Sequence, residues 1–196
     1  MPARLDPETL LTAYCRGVFP MTDSDGQIRW YTADPRGIIP LDAFHVPHTL
    51  AQFMRSPSSQ FEIRINHSFE QTMRNCMIAH RGPSWISPEL IKAYVRLHRL
   101  GFAHSVETYH GENLVGGLYG VSIGGAFFGE SMFHYERDAS KVALVHLVRR
   151  LRQRGYELLD AQAATEHLRR FGCIEIPASA YMKRLEKAVT KNCSFI

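Results

Sequence analysis

Residues 116–133, GGLYGVSIGGAFFGESMF, constrain the fold more than any other stretch, because they carry six of the chain's fourteen glycines within an otherwise apolar run. A phosphate loop needs G-x-x-x-x-G-K-[ST] opening a helix, and no lysine follows these glycines. A dinucleotide fingerprint needs G-x-G-x-x-G between strand and helix, whereas both flanks here read as strand. What remains is a hairpin, with Gly124-Gly125 supplying the positive φ angles of a tight turn. The other glycines strip side chains from a sheet. They mark close helix packing or bulges, or leave room for a ligand against the backbone.

The surroundings extend this into an α+β chain. AHSVETY and ENLVGGLYGV read as a hairpin pair, with GAFFGESMF as a third strand. DASKVALVHLVRRLRQRG follows as a helix with one apolar stripe through Val142, Val145, Leu147, Val148 and Leu151. YELLDAQ is then a short apolar strand, inserted beside the hairpin sheet after this crossover. EHLRRFG reads as a helical turn and SAYMKRLEKAV as a terminal helix. Upstream, Asp6 caps a helix with Pro7 at its first position and Gly17 at its end. FEIRI alternates as a strand, HSFEQTMRNCMIAH is amphipathic through Phe69, Met73 and Met77, and Ser87, Pro88 and Gly101 bound a further helix. Prolines 20, 35 and 40 break the early segment, so the expected boundary divides residues 1–36 from 37–196.

A chain of 196 residues can bury a full core without metal or disulfide staples. Cys15, Cys76, Cys173 and Cys193 form no C-x-x-C pair, and no histidine spacing suggests a metal site: His45 and His48 flank a proline with no carboxylate beside them. The N-terminal residues lack a signal-peptide apolar core and no run reaches membrane-spanning length, so a soluble cytoplasmic protein is expected. Eleven of the 23 Lys and Arg fall between Lys141 and Lys191, against five acidic residues. A basic final third suits a polyanion, or else solvated helix faces.

Three polar residues stand where an apolar sheet would not choose them. Glu130 interrupts FFGESMF, and Asp160 and Gln162 interrupt ELLDAQ, projecting from one face of that strand. A carboxylate there is costly unless paired, so Asp160 either has an arginine partner or faces a polar cleft. Ser131 lies in G-E-S-M-F, which is not the G-x-S-x-G of a nucleophile elbow. Neither a covalent nucleophile nor a metal is expected.

Taken in order, RGVFPM, WYTADPRGII, SWISPELIKAYVRLHRLGFAHSVE, LVGGLYGVSIGGAFFGESMF, ASKVALVHLVRRL and LLDAQAATEHLRRFG resemble the bacterial leucyl/phenylalanyl-tRNA-protein transferases from about Leu11 to Lys187. The resemblance implies a small N-terminal domain on a GNAT-like C-terminal domain, mainly antiparallel sheet with flanking helices. It implies transfer of Leu or Phe, with Met a further donor residue, from aminoacyl-tRNA to an N-terminal Arg or Lys, marking proteins for N-end rule degradation. No cofactor is implied, because the ester is already activated, and a monomer without membrane contact is expected. The implied catalytic residues are Asp160, Gln162 and Glu130. In that reading Gln162 accepts a hydrogen from the attacking amine, Asp160 holds the Gln162 amide or relays the proton, and Glu130 meets the acceptor peptide or the network around the amine. The implied substrate pocket is Trp85, Tyr94 and Phe127, with Ser131 and Met21.

Three positions depart from the family pattern: Met21 where many members have Trp, Ala161 within D-C-Q, and Ala178 within I-P-R. The N-terminal segment is also short for the family. Strict alternation puts Phe127 and Glu130 on opposite faces, and only a bulge at Gly129 brings both to one site. Two other classes compete. An acetyl-CoA-dependent N-acetyltransferase requires a [QR]-x-x-G-x-[GA] segment, which RQRGYE fails. An RNA-binding module leaves the buried polar residues unexplained.

Overall fold

The computed structural model describes residues 5–56, 60–79 and 84–196. The chain opens with α1 (Pro7–Cys15), whose first turn is capped by Asp6 accepting from the Thr9 N–H at 3.0 Å. Gly17 takes a φ of 72° just past its end. β1 (Phe19–Thr22) and β2 (Ile28–Tyr31) pair as a separate two-stranded sheet.

The main sheet has seven strands. β3 (Arg36–Ile38) and α2 (His48–Arg55) precede β4 (Phe61–Ile65) and α3 (Phe69–Ala79). His80, the last residue of the amphipathic stretch, lies outside the described residues. α4 (Pro88–Arg99) has Ser87 as its cap, as its sequence requires. The expected three strands follow as β5 (Ala103–His110), β6 (Asn113–Ile123) and β7 (Ala126–His134). α5 (Ala139–Gln153) crosses over to β8 (Leu158–Gln162), and α6 (Glu166–Arg169), β9 (Ile174–Ile176) and α7 (Ala178–Val189) complete the chain. The sheet order is β4-β5-β6-β7-β8-β3-β9, with β7 and β8 the parallel pair. The crossover strand expected beside the hairpin sheet is thus β8. Sequence pattern missed β3, which wedges antiparallel between β8 and β9.

Two cores sandwich this sheet. On one face Val142, Val145, Leu147, Val148 and Leu151 of α5 pack against Leu118 and Phe127. Each such side chain contributes about 1.5–3 kcal/mol when fully buried. The other face carries Leu10, Tyr14, Met73, Leu90, Tyr94 and Leu185 from four helices, packed around Tyr119, Phe128 and Phe133.

The glycine run is mostly explained by packing. A Cβ on Gly116 would lie 2.5 Å from the Ala139 Cβ, and one on Gly120 would lie 2.5 Å from the Phe127 ring. Of the turn pair, Gly124 alone takes a positive φ, 55°, while the Gly125 N–H donates to the Ala188 carbonyl at 2.8 Å. The turn is therefore tied to the end of α7, a contact that turn chemistry alone does not reveal.

Candidate active site

The parallel pairing of β7 and β8 ends at Phe128 opposite Asp160. Beyond it the strands part. β7 stays in register with β6 through Gly129 opposite Gly120, then resumes with Ser131 opposite Tyr119, so Glu130 is the extra residue of a bulge. β8 ends at Gln162, whose φ of 60° turns the chain out of the strand. The Gln162 N–H donates to Asp160 Oδ1 at 2.8 Å, which fixes that turn locally. The turn then crosses Gly37 so closely that a Cβ there would meet the Ala163 backbone at 2.5 Å.

The split so formed holds a cavity of about 400 Å³. Glu130, Ser131, Tyr119 and Gln162 make its polar side, and Leu118, Met132, Leu144, Leu147 and Leu159 its apolar side. Gly129 opens onto it, with only the Asp160 carbonyl near its missing Cβ, at 3.3 Å. This is the one glycine of the run that leaves space beside the site.

Glu130 is the centre of a hydrogen-bonded cluster. Its Oε1 accepts from the Tyr14 hydroxyl at 2.7 Å and the Gln162 side-chain amide at 3.3 Å, and its Oε2 accepts from the Tyr94 hydroxyl at 3.4 Å. The two tyrosine hydroxyls also bond one another. Burial pushes the Glu130 carboxyl up to about 7, with the Asp160 charge adding to it and Tyr14 and Arg36 opposing. Burial likewise raises the phenols of Tyr14, Tyr94 and Tyr119 above their usual range, so all three are donors at neutral pH. The Tyr119 hydroxyl is buried and has no hydrogen-bond partner among the described residues.

Asp160 has the arginine partner that the sequence left open. Arg36 grips it with Nε to Oδ1 at 3.0 Å and Nη2 to Oδ2 at 2.7 Å, and the Tyr181 hydroxyl donates to Oδ2 at 2.7 Å. With the Gln162 N–H, four donors converge on the two carboxylate oxygens. Arg36 also donates to the Gly17 carbonyl at 2.9 Å and lies over the Phe19 and Tyr181 rings. Asp160 therefore holds the Gln162 backbone rather than its side-chain amide.

The eight residues expected at the site do not all meet. Glu130, Gln162, Asp160, Tyr94 and Ser131 gather at the split, with Ser131 beside the Cys76 thiol. Phe127 points away from Glu130, on the same face as the cavity's apolar side, but it is fully buried, stacked on Phe195 and absent from the cavity's lining. The bulge exists but falls one residue late to reconcile the two. It brings Ser131 to the face of Glu130 and leaves Phe127 behind, because the strand is regular through Gly129. Trp85 and Met21 are partly buried against the first core, linked by the Thr22 N–H to Trp85 carbonyl bond at 3.0 Å. Tyr14, Tyr119, Arg36 and Tyr181 escaped the sequence reading. A tyrosine within an apolar helix or strand reads as core, and only a partner brought by the fold shows otherwise. Among the described residues, no group of three or more His, Cys, Asp or Glu is placed to hold a metal.

The family described as leucyl/phenylalanyl-tRNA protein transferase matches residues 38–186, and its N-terminal domain matches residues 3–34. A leucyl/phenylalanyl-tRNA–protein transferase of Rubrobacter xylanophilus is 51% identical over 193 residues, 98% of this chain and 99% of its own. That of Gloeobacter violaceus is 50% identical over 196 residues, all of both chains, and that of Phenylobacterium zucineum is 52% identical, covering 98% and 88%. Among solved structures, L-PGS from Bacillus licheniformis aligns with a TM-score of 0.44 at 12% identity, covering 79% of this chain and 49% of that one. From both family matches and these full-length identities, the chain belongs to the leucyl/phenylalanyl-tRNA protein transferase family.

Proposed function

We propose that the protein transfers a leucyl or phenylalanyl group from its aminoacyl-tRNA to the N-terminal Arg or Lys of a protein, with the sheet's split as the reaction site. Family membership supports the donor and the reaction class. The observation that carries the site is the cavity itself, where a carboxyl of pKa about 7 faces an apolar lobe. In this reading Leu118, Met132, Leu144 and Leu147 receive the apolar side chain, and the ester lies beside Glu130, Gln162 and the unpartnered Tyr119 hydroxyl.

The chemistry needs little driving force. An α-amine has a pKa of about 7.7–8.0, so a useful fraction is neutral near pH 7. Its nitrogen attacks the ester carbon, the N–C bond forms, and the C–O bond to the ribose breaks. The proton leaves the nitrogen for Glu130 and passes to the departing ribose oxygen, which a carboxyl poised near neutrality suits. Gln162 orients Glu130 and the amine, Asp160 and Arg36 hold the Gln162 turn, and positioning supplies most of the rate. Ester activation makes ATP and acetyl-CoA unnecessary.

The same reading takes residues 1–36 as a small N-terminal domain and residues 37–196 as a GNAT-like catalytic domain. It takes the protein as a cytoplasmic monomer that marks its products for N-end rule degradation. No described helix is long and apolar enough to cross a membrane. The test is transfer of labelled leucine from leucyl-tRNA, without ATP, to peptides beginning with Arg, Lys or Ala. Transfer to the first two alone is expected, and transfer to none of them overturns the reading.

A further inference from the structure

The cavity at Glu130 continues outward. Met132 and His167 line both it and a second depression of about 590 Å³, which shares Arg137, Asp138, Lys141 and His167 with a third of about 570 Å³. Together they make a trough from the split in the sheet to the N-terminus of α5. Its charged groups are three cations, Arg137, Lys141 and Arg170, against Asp138 and the Glu166 that pairs with Arg170, and His134 and His167 line it too, the latter's pKa lowered by burial.

Unanswered donors collect at the helix end. Asp138 sits at the N-cap with a φ of 66° and makes no side-chain cap. Its carboxylate turns instead to Lys141 Nζ at 2.5 Å and Arg137 Nε at 3.5 Å. The first-turn N–H groups of this fifteen-residue helix thus lack a side-chain acceptor, only the Ala139 N–H donating to the Glu136 carbonyl at 3.2 Å, and they carry the positive end of the helix dipole. Ser140 is only 3% exposed and lines the second depression, and its hydroxyl bonds no other described side chain or backbone group. His167 Nε2 is buried without a partner in the same trough. Donors left open beside cations call for an anion with several acceptor oxygens.

From this geometry we infer that a phosphodiester of the donor's single-stranded 3′ end sits at the N-terminus of α5, held by Ser140, Lys141 and Arg137. The inference rests on the transfer reaction proposed above. The terminal adenosine then turns past His167 and delivers its aminoacyl ester into the split. Continuity of the trough with that split favours a nucleic-acid phosphate over an isolated anion.

The test compares the unmodified chain with the double variant Arg137→Ala/Lys141→Ala, in which the Arg137 side chain removed is 94% exposed. With leucyl-tRNA as donor, KM rises at least about tenfold with a smaller effect on kcat, as expected for lost phosphate contacts. The penalty on leucyl-adenosine, a donor without phosphate, is several-fold smaller. Equal penalties on both donors, or an unchanged KM, overturn the assignment. Binding of the RNA tetranucleotide ACCA by fluorescence anisotropy needs no turnover. The double variant and Ser140→Ala each weaken it, and the double variant's salt slope falls by about one to two. Equal binding by all three chains, or displacement of ACCA by inorganic phosphate at equal concentration, also overturns it. If the unmodified chain uses neither donor, the transfer reaction itself fails, and the tetranucleotide still decides the subsite.

Discussion

Arg36 and Asp160 meet through two parallel hydrogen bonds, 3.0 and 2.7 Å long, with side chains only 1% and 0% exposed. This pair joins the segment after α1, which supplies Gly17, to the β8 turn that presents Gln162. Removing one partner leaves a buried charge uncompensated, at a cost of about 3–5 kcal/mol. Asp160→Ala is therefore expected to lose stability by that amount in urea unfolding, and Tyr181→Phe, which removes one of the carboxylate's donors, by about 1.5–3 kcal/mol. A stable Asp160→Ala chain that has lost only turnover would instead make Asp160 a chemical participant.

Glu130 predicts an unusual stability profile. Its carboxyl titrates near 7 in the folded chain, against about 4.3 when unfolded. Between these values the folded state holds the extra proton, so this group's contribution to stability falls as pH rises through that window. Glu130→Gln removes the ionisation. The unmodified chain is expected to lose more thermal stability than Glu130→Gln between pH 5 and pH 8, and parallel melting curves would contradict the raised pKa.

The unpartnered hydroxyl of Tyr119 separates binding from folding. Tyr119→Phe removes a buried unsatisfied group, so it leaves stability unchanged or raises it by about 1 kcal/mol. If the hydroxyl meets the aminoacyl group, kcat/KM falls about tenfold, equivalent to 1.4 kcal/mol. Paired calorimetry and single-turnover rates distinguish this from a packing role, in which both quantities move together.

Met132, at the apolar side of the cavity, is only partly buried. Met132→Ala enlarges that lobe, so transfer of phenylalanine is expected to gain on leucine by about 4–15-fold in competition, the worth of one to two methylenes at about 0.8 kcal/mol each. An unchanged ratio places the donor's side chain elsewhere.

Much of this fold is legible in short stretches. The Asp6-Pro7 and Ser87-Pro88 starts, the β5–β6–β7 meander and the α5 crossover all follow from local capping, turn and periodicity signals. β3 did not show because three residues carry no periodicity, and its neighbours β8 and β9 lie more than a hundred residues on. The site divides in the same way. Glu130, Asp160 and Gln162 stood out as polar residues in apolar strands, and the need to pair Asp160 was evident. Its partner was not, since Arg36 lies 124 positions earlier. Phe127 parts from Glu130 for a subtler reason. The bulge was expected at Gly129, but pairing with β6 sets it at Glu130, and a shift of one residue decides which face a side chain joins.

The central claim is that Glu130 takes the proton of the attacking amine. Single-turnover transfer of leucine from leucyl-tRNA to an Arg-initiated peptide, measured from pH 5.5 to 8.5, tests it most directly. The unmodified chain should show a rate rising through two ionisations, Glu130 near 7 and the α-amine at about 7.7–8.0, and Glu130→Gln should keep only the amine's rise, with a rate about 100-fold lower at pH 8. A Glu130→Gln chain that matches the unmodified rate and pH profile would contradict it.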